Sequence, residues 1–491
     1  MRDDNEISVR KAVIFIVLFP LLSTITHGKG AATAVAEAKK EPTLSLTEEW
    51  IQNSRHSISW LKWGADLRLR EEYYSNAKQN SENPDRETNQ QRARMRLWTE
   101  ITPWESFTFR VRAMSEPRTY IKPDSKQGYV GELILDNLSV TLSPEKPPLQ
   151  ALIGRQELSD LEVPWLLRDG TPTDTSRTSF FDAARLTYTS VDEKTSVHGI
   201  FLYQDERSDA WLPPVGMQPS LKYLSEEDIV SGMFLIRNKS PKNTTLEGLV
   251  IYKHEFESDQ SLGTTGDTVT ICPKVGYKID DHWEFEAEAA GQFGRRGDHS
   301  GNNMRDVIAS GALSRLQYHF QDELKNTARL GVEYLSGRGK NSETDHGFDN
   351  LWGRYSRIGE LMSYSTRLDS GRAYDHSNML SPIIGYSIDP IRDMRVSAEY
   401  RPMFAPENPY GGDKNHSEDG SFKGHLVRGR VDYTFNKHAK AGMLFEALEP
   451  GDYYSDRADD PMYYFRVELT YDLLESFIRR FTQIFQRDEQ I

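Results

Sequence analysis

QRARMRLWTEIT (91–102) sets arginines at 92, 94 and 96 and fills the gaps with Ala93, Met95, Leu97, Thr99 and Ile101. A guanidinium stays charged at any relevant pH and offers a planar fork of donors to a carboxylate or sulfate, so a row of them is chemistry for anions. The spacing decides which element carries the row. A helix turns about 100° per residue and would scatter Arg92, Arg94 and Arg96, whereas a strand alternates sides and lines them up on one face. The same alternation sets Arg68 and Arg70 against Leu67 and Leu69, and Arg110 and Arg112 against Phe107, Phe109 and Val111. It recurs at Arg428, Arg430 and Arg466, while Arg155 and Arg185 lie on further strand-like segments. In a soluble sheet the apolar row faces inward and the arginines meet water. In a membrane barrel the sides reverse, apolar row to lipid and polar row to lumen.

The N-terminus shifts the balance between these two. After MRDDNEISVRK comes the apolar run AVIFIVLFPLLSTI, followed by small residues ending in Ala34-Val35-Ala36, the pattern of a cleaved secretory leader over 1–36. No later stretch approaches the roughly 20 apolar residues of a membrane-crossing helix, so a membrane-spanning form of this chain has to be a barrel. The single cysteine, Cys272, excludes a disulfide framework and lies far from the leader, which excludes a lipid anchor there. The 491 residues carry a formal charge of −14, which becomes −15 once four Lys/Arg and three Asp/Glu leave with the leader. An acidic chain is not built for nucleic acid, whose phosphates need a basic surface.

Alternating segments of about 9–13 residues, the length of a tilted membrane strand, recur along the rest of the chain. The clearest cover 64–74, 91–102, 106–114, 149–156, 181–190, 282–294, 327–337, 394–404, 427–435, 439–448 and 463–473; weaker ones fall near 130–142, 197–205, 229–237, 246–255, 267–278, 306–320 and 377–388. Short, turn-like connections such as TPWE, KIDD and DPIRD alternate with long polar ones, of which 338–376 is the longest. The expected fold is therefore all-β, a transmembrane antiparallel barrel of about 18 strands over 60–474, with short periplasmic turns and long extracellular loops. A periplasmic segment (37–59) precedes it. LESFIRRFTQIFQRDEQI follows it, and there Phe477, Phe481 and Phe485 recur at helical spacing opposite Arg479 and Arg480, so an amphipathic periplasmic tail is expected over 475–491.

Several of these segments also carry a family likeness. LIGRQELSDLEVPWLLRDGTPTDTSRTSFFDAARLTY (152–188), EAEAAGQFG (286–294), YLSGRGKNSETDHGFDNLWGRYSRIGELM (334–362), EPGDYY (449–454) and FRVELTY (465–471) resemble the alginate export family of outer-membrane β-barrels. The resemblance spans most of the chain after the leader. It implies a barrel of about eighteen strands whose arginine-rich lumen passes an anionic polysaccharide, such as alginate or a related uronate or sulfated glycan. It also implies outer-membrane lipid as surroundings and periplasmic secretion components as candidate partners. A single chain has enough strands to close a pore, so a monomer is expected.

In that barrel the arginines named above line the pore, in one sector because closure places the last strand beside the first. Asp66, Glu72, Glu100, Asp432 and Glu468 can brace some of them but are too few for all. HWEFEAEAAGQFG (282–294) places Glu284, Glu286 and Glu288 on a polar face about nine strands away. These form either an acidic wall opposing the basic one or local pairs with Arg315, Lys274 or Lys278. Trp104, Tyr73, Tyr188 and Tyr471 fit the interfacial girdle, whereas Trp165, Trp211, Trp352 and Tyr355 belong to loops, where they either stack on sugar rings or pack the loops, packing being the default. The 338–376 loop is long enough to fold inward and constrict the pore.

Enzymatic readings find little support. YKHEFES (252–258) lacks the second histidine of a zinc site, Cys272 has no cysteine partner for a cluster, and the Ser, His and Asp residues show no nucleophile elbow. No cofactor is expected. A membrane-embedded hydrolase barrel and a passive structural or adhesin barrel are the alternatives to a channel. Activity-based labelling of a serine would mark the first, and lack of conductance in planar bilayers the second.

Overall fold

The computed structural model describes residues 58–473, apart from loop positions 77–78, 80–85, 124, 127, 129–131, 145–147, 168–179, 207–210, 217–227 and 260–262. The expected leader, all but the last two residues of the 37–59 segment and the 475–491 tail lie outside the described residues.

Period-two patterning becomes strand nearly everywhere it was expected. The first strands are β1 (Leu61–Ser75), β2 (Thr88–Trp104), β3 (Phe107–Ser115), β4 (Arg118–Lys122), β5 (Ile134–Leu142) and β6 (Leu149–Gln156). Then come β7 (Phe181–Thr189), β8 (Thr195–Gln204), β9 (Ile229–Asn238), β10 (Thr244–Glu255), β11 (Thr264–Lys278), β12 (Trp283–Asp298) and β13 (Arg305–His319). The last are β14 (Thr327–Leu335), β15 (Met379–Ile391), β16 (Met394–Phe404), β17 (Phe422–Thr434), β18 (Ala439–Pro450) and β19 (Met462–Asp472). One helix, α1 (Met362–Ser370), lies in the connection between β14 and β15.

Apart from the short β4, each strand pairs antiparallel with the next one along the chain, β3 with β5, and β1 also pairs with β19, Leu69 opposite Leu469 and Arg70 opposite Glu468. Both β3 and β4 pair with β2, so they are two parts of one return strand. The break falls at Pro117, which has no N–H to give the ladder. The result is a closed 18-strand antiparallel barrel, as expected. Closure leaves no strand edge, which is what lets a sheet satisfy its backbone inside lipid. No described helix is long and apolar enough to cross a membrane.

Exposure identifies the two faces. Met95 and Leu97 are 50% and 59% exposed, while Arg94 and Arg96 between and beside them are 7% and 8% exposed. The apolar row is the outer face and the arginine row the inner one, and in-register pairing carries both rows from strand to strand.

Side-chain acceptors and left-handed residues hold the short turns. Asp280 Oδ1 accepts from the backbone N–H of His282 (2.7 Å) and Trp283 (2.8 Å), and Asn436 Oδ1 from those of His438 (2.8 Å) and Ala439 (3.0 Å). Asp393, in the two-residue turn between β15 and β16, sits at φ 63°, a conformation that Asp and Asn tolerate better than most residues. At the opposite rim the connections are long. The 336–378 connection and the segment around Trp165 fold into the barrel rather than away from it.

Candidate functional site

The site is the inner wall together with these inward loops. On β1, β2, β3 and β19 the guanidiniums and carboxylates interleave. Arg68 Nη2 donates to Glu116 Oε2 at 2.9 Å, and Arg92 donates to Glu116 (2.8 Å) and Glu72 (2.9 Å). Arg70 donates to Glu468 (2.6 Å) and Glu72 (3.2 Å), and Arg96 Nε to both oxygens of Asp66 (2.9 and 2.8 Å). Arg112 grips Asp136 through two 2.8 Å bonds and also pairs with Glu157, while Arg110 lies 3.8 Å from Glu100. Glu116 is in phase with Arg112 and Met114, so its carboxylate stands in the middle of the arginine group.

Further round, Arg428 pairs with Glu446 (2.9 Å), Arg430 with Asp432 (2.6 Å), Arg466 with Glu360 (3.2 Å) and Arg185 with Asp160 (2.7 Å). Arg155 is a correction. The register sets it opposite Leu138 and Asp182, on the face shared by exposed Ile153 and opposite to that of Arg112 and Arg185. Its guanidinium pairs with Asp182 (2.9 and 3.0 Å), lies against Phe180 and Trp211 and donates to the Leu212 carbonyl (3.2 Å), so it fastens Trp211 and Leu212 instead of facing the lumen. The parity of Leu149, Ala151 and Ile153 was the sequence signal for this placement.

The expectation that carboxylates are too few also needs correction. Every sequence-predicted arginine has a carboxylate oxygen within 4.0 Å, because Glu116, Asp136, Glu157, Asp160, Asp182, Glu360 and Glu446 add to those foreseen. Glu157, Asp160 and Glu360 come from the inward loops, whose path no local pattern reveals. Arg94 differs from the others. Its nearest carboxylate is Asp66 at 3.9 Å, already gripped by Arg96, and among the described residues its Nε and Nη1 meet no hydrogen-bond partner. Arg68 lies directly across the ladder from it.

The acidic triad on β12 resolves toward local pairing. Glu286 lies 3.3 Å from Lys274 and 3.9 Å from Arg315, and Glu284 3.7 Å from His319; Glu288 is buried. Arginines overlooked in the sequence stand on the same inner face: Arg237, Arg296, Arg329 and Arg401, with Lys253 beside them. In RVSAEYRPMF the alternation of Ala398, Tyr400 and Pro402 with Glu399 and Arg401 was legible. The basic groups therefore run round the wall rather than along one sector.

The 336–378 loop crosses this interior. Asp345 accepts from Arg296 (2.8 Å) and Asp349 from Lys253 (2.7 Å); burial would raise the Asp349 carboxyl, and these cations hold it below the usual carboxylate range. Trp352 Nε1 donates to Gln204 (2.6 Å) on one side, and the Leu361 N–H donates to Glu446 (3.1 Å) on the other. Phe348, Leu351, Trp352, Ile358 and Leu361 pack with inner-face Ile200, Leu235, Ile251, Leu313 and Leu444, and Trp165 stacks on Phe348. The loop aromatics Trp165 and Trp352 thus pack, as expected. The single cysteine, Cys272, is buried in the same cluster. Among the described residues no group of three His, Cys, Asp or Glu could hold a metal ion.

The sequence profile of a family described as alginate export matches residues 59–467. A search of curated proteins found no significant match. Among solved structures the fold is similar to OccAB1 of Acinetobacter baumannii (TM-score 0.55, 11% identity, 85% of this chain and 98% of that one). It is also similar to a BenF-like porin from Pseudomonas fluorescens Pf-5 (0.53, 10%, 84% and 99%). A third is Pseudomonas aeruginosa OccK2 (OpdF), solved in complex with glucuronate (0.52, 11%, 84% and 98%). At such identities the likeness is one of fold.

Proposed function

We propose, from the premise that this chain belongs to the alginate export family and is an outer-membrane channel, that its cargo is an acidic polysaccharide, a uronate polymer or a related sulfated glycan. The observation that carries the reading is Arg94, a buried guanidinium on the inner face with two nitrogens, Nε and Nη1, unspent among the described residues and Arg68 across from it. A cation held this way by its neighbours is ready for a carboxylate or sulfate that arrives from outside the protein. The paired arginines beside it serve differently. Each offers a guanidinium already oriented by a carboxylate, so a passing anion exchanges partners at each step instead of binding tightly at one. Conduction needs this balance between entering and leaving. The glucuronate in the OccK2 structure is a monomer of the same chemical class. One chain closes the barrel, and we read the protein as a monomer that native mass measurement would register as such.

The test is block of single-channel current by oligouronates. Uronate oligomers are expected to block at concentrations that leave neutral oligosaccharides of equal length without effect. Arg94→Gln is expected to raise the half-blocking concentration about tenfold, the scale of one charge-assisted hydrogen bond. Equal block by neutral and anionic oligomers would refute the reading.

A further inference from the structure

The inward loop answers the wall's cations with its own carboxylates. Glu360 holds Arg466, and Tyr374 donates to its other oxygen at 2.7 Å. Across the barrel, Asp345 holds Arg296 and Asp349 holds Lys253. Among the described residues, every ion pair and hydrogen bond of the Arg296 side chain goes to the loop: Asp345, Asp349 and the Gly347 carbonyl. The wall's carboxylates are arranged differently. When the loop leaves, Glu333 gives up the loop's Arg357 (2.6 Å) but keeps Arg401 (3.1 Å), Glu446 keeps Arg428 (2.9 Å) and Lys253 keeps Glu255. Withdrawal of the loop therefore leaves these wall anions paired and bares Arg296 most completely.

We propose that the 336–378 loop is an internal stand-in for the cargo: its carboxylates occupy cations that a polyanion takes over, so the polymer itself drives the loop out of the barrel. The inference rests on the acidic-polysaccharide reading above. Its thermodynamics are those of linkage. A ligand shifts an equilibrium only through its different affinity for the two states, and here the cations bared in the open state supply that difference. A neutral polymer finds no new partner and shifts nothing. The apolar packing of Phe348, Trp352 and Leu361 keeps the loop seated when no polyanion is present. Cargo so becomes the signal for its own passage.

Ser356 is a suitable reporter. It lies in the loop, is 1% exposed, and its hydroxyl meets no hydrogen-bond partner among the described residues, so cysteine fits there with little disturbance. In full-length protein carrying Ser356→Cys and Cys272→Ser, reconstituted in liposomes, the rate of maleimide labelling is measured with sodium alginate, with dextran of equal length and with matched sodium chloride. Labelling is expected to rise about tenfold with alginate alone. Adding Asp345→Asn, Asp349→Asn and Glu360→Gln, which keep shape and remove charge, is expected to give the high rate without any polymer. Labelling that is indifferent to alginate would overturn the proposal, as would a slow rate in the charge-neutralised protein. Block by oligouronates is read in the same preparations. If block is selective for uronates but labelling does not respond, the gating fails and the channel reading stands. If block is not selective, it is the reading of the cargo that fails.

Discussion

Arginines on one face do two jobs, and the partner list separates them. Arg112 is a brace: Asp136 is fully buried and takes both of its 2.8 Å bonds from that guanidinium. Arg112→Gln is expected to leave a buried carboxylate unpaired and to cost about 3–5 kcal/mol. Heat-modified gel mobility and urea unfolding in detergent measure it. Arg94 braces little, so Arg94→Gln is expected to stay within about 1 kcal/mol of the parent in the same assay. Equal losses at the two positions would contradict the division. Residue types and parity were legible in the sequence, and they placed Arg68, Arg70, Arg92, Arg94, Arg96, Arg110 and Arg112 on one face. What was not legible was their pairing, since Glu157, Asp160 and Glu360 come from loops whose course depends on long-range packing. Arg155 was misplaced although the parity of Ile153 opposed it.

At the scale of the element, strands and loops follow different rules. A strand's two faces meet two solvents, so β2 can be read from twelve residues of sequence. A charge on its outer face carries the corresponding penalty: Met95→Arg is expected to lose about 2–4 kcal/mol of insertion free energy if it lies near mid-bilayer. Folding titrations into liposomes would show it, and an unchanged midpoint would contradict the outer-face assignment. The loops are joined by polar contacts instead. His416, from the 405–421 loop, places Nδ1 2.8 Å from Asp413 and Nε2 3.1 Å from Asp369 on α1, and Lys423 Nζ reaches Asp369 at 2.7 Å. Two carboxylates can only accept, so the imidazolium, with a donor on each nitrogen, is the form of the ring that satisfies both. Burial by itself lowers the pKa of His416, but Asp369 and Asp413 outweigh it and the value is raised. A raised folded value gives stability that is complete below the unfolded pKa of about 6.5 and is lost as pH rises through the folded one. Protease cutting of the 405–421 loop is therefore expected to increase on going from neutral to alkaline pH, and His416→Gln to abolish that dependence. A pH-independent cutting rate in the parent protein would contradict the tie.

For the whole molecule, β1 joined to β19 makes one chain into one wall, and the alternation of short turns with long loops was enough to count its strands from sequence. The content of the barrel was only partly legible. The length of the 338–376 stretch announced an inward loop, but its apolar contacts with β8, β9, β10, β13 and β18 arise only once those strands stand around it. The central claim is that this wall selects anions, and the reversal potential under a salt gradient tests it most directly. Arg92 and Arg96 each hold carboxylates, so the informative variant is Arg94→Glu rather than a change of the whole row. The parent channel is expected to prefer anions at 0.1 M salt, where the Debye length is about 10 Å, and less so at 1 M, where it is about 3 Å. Arg94→Glu is expected to reduce or reverse that preference at low salt while the barrel stays folded. A parent channel without anion preference, or a folded Arg94→Glu channel with an unchanged reversal potential at 0.1 M salt, would contradict the account.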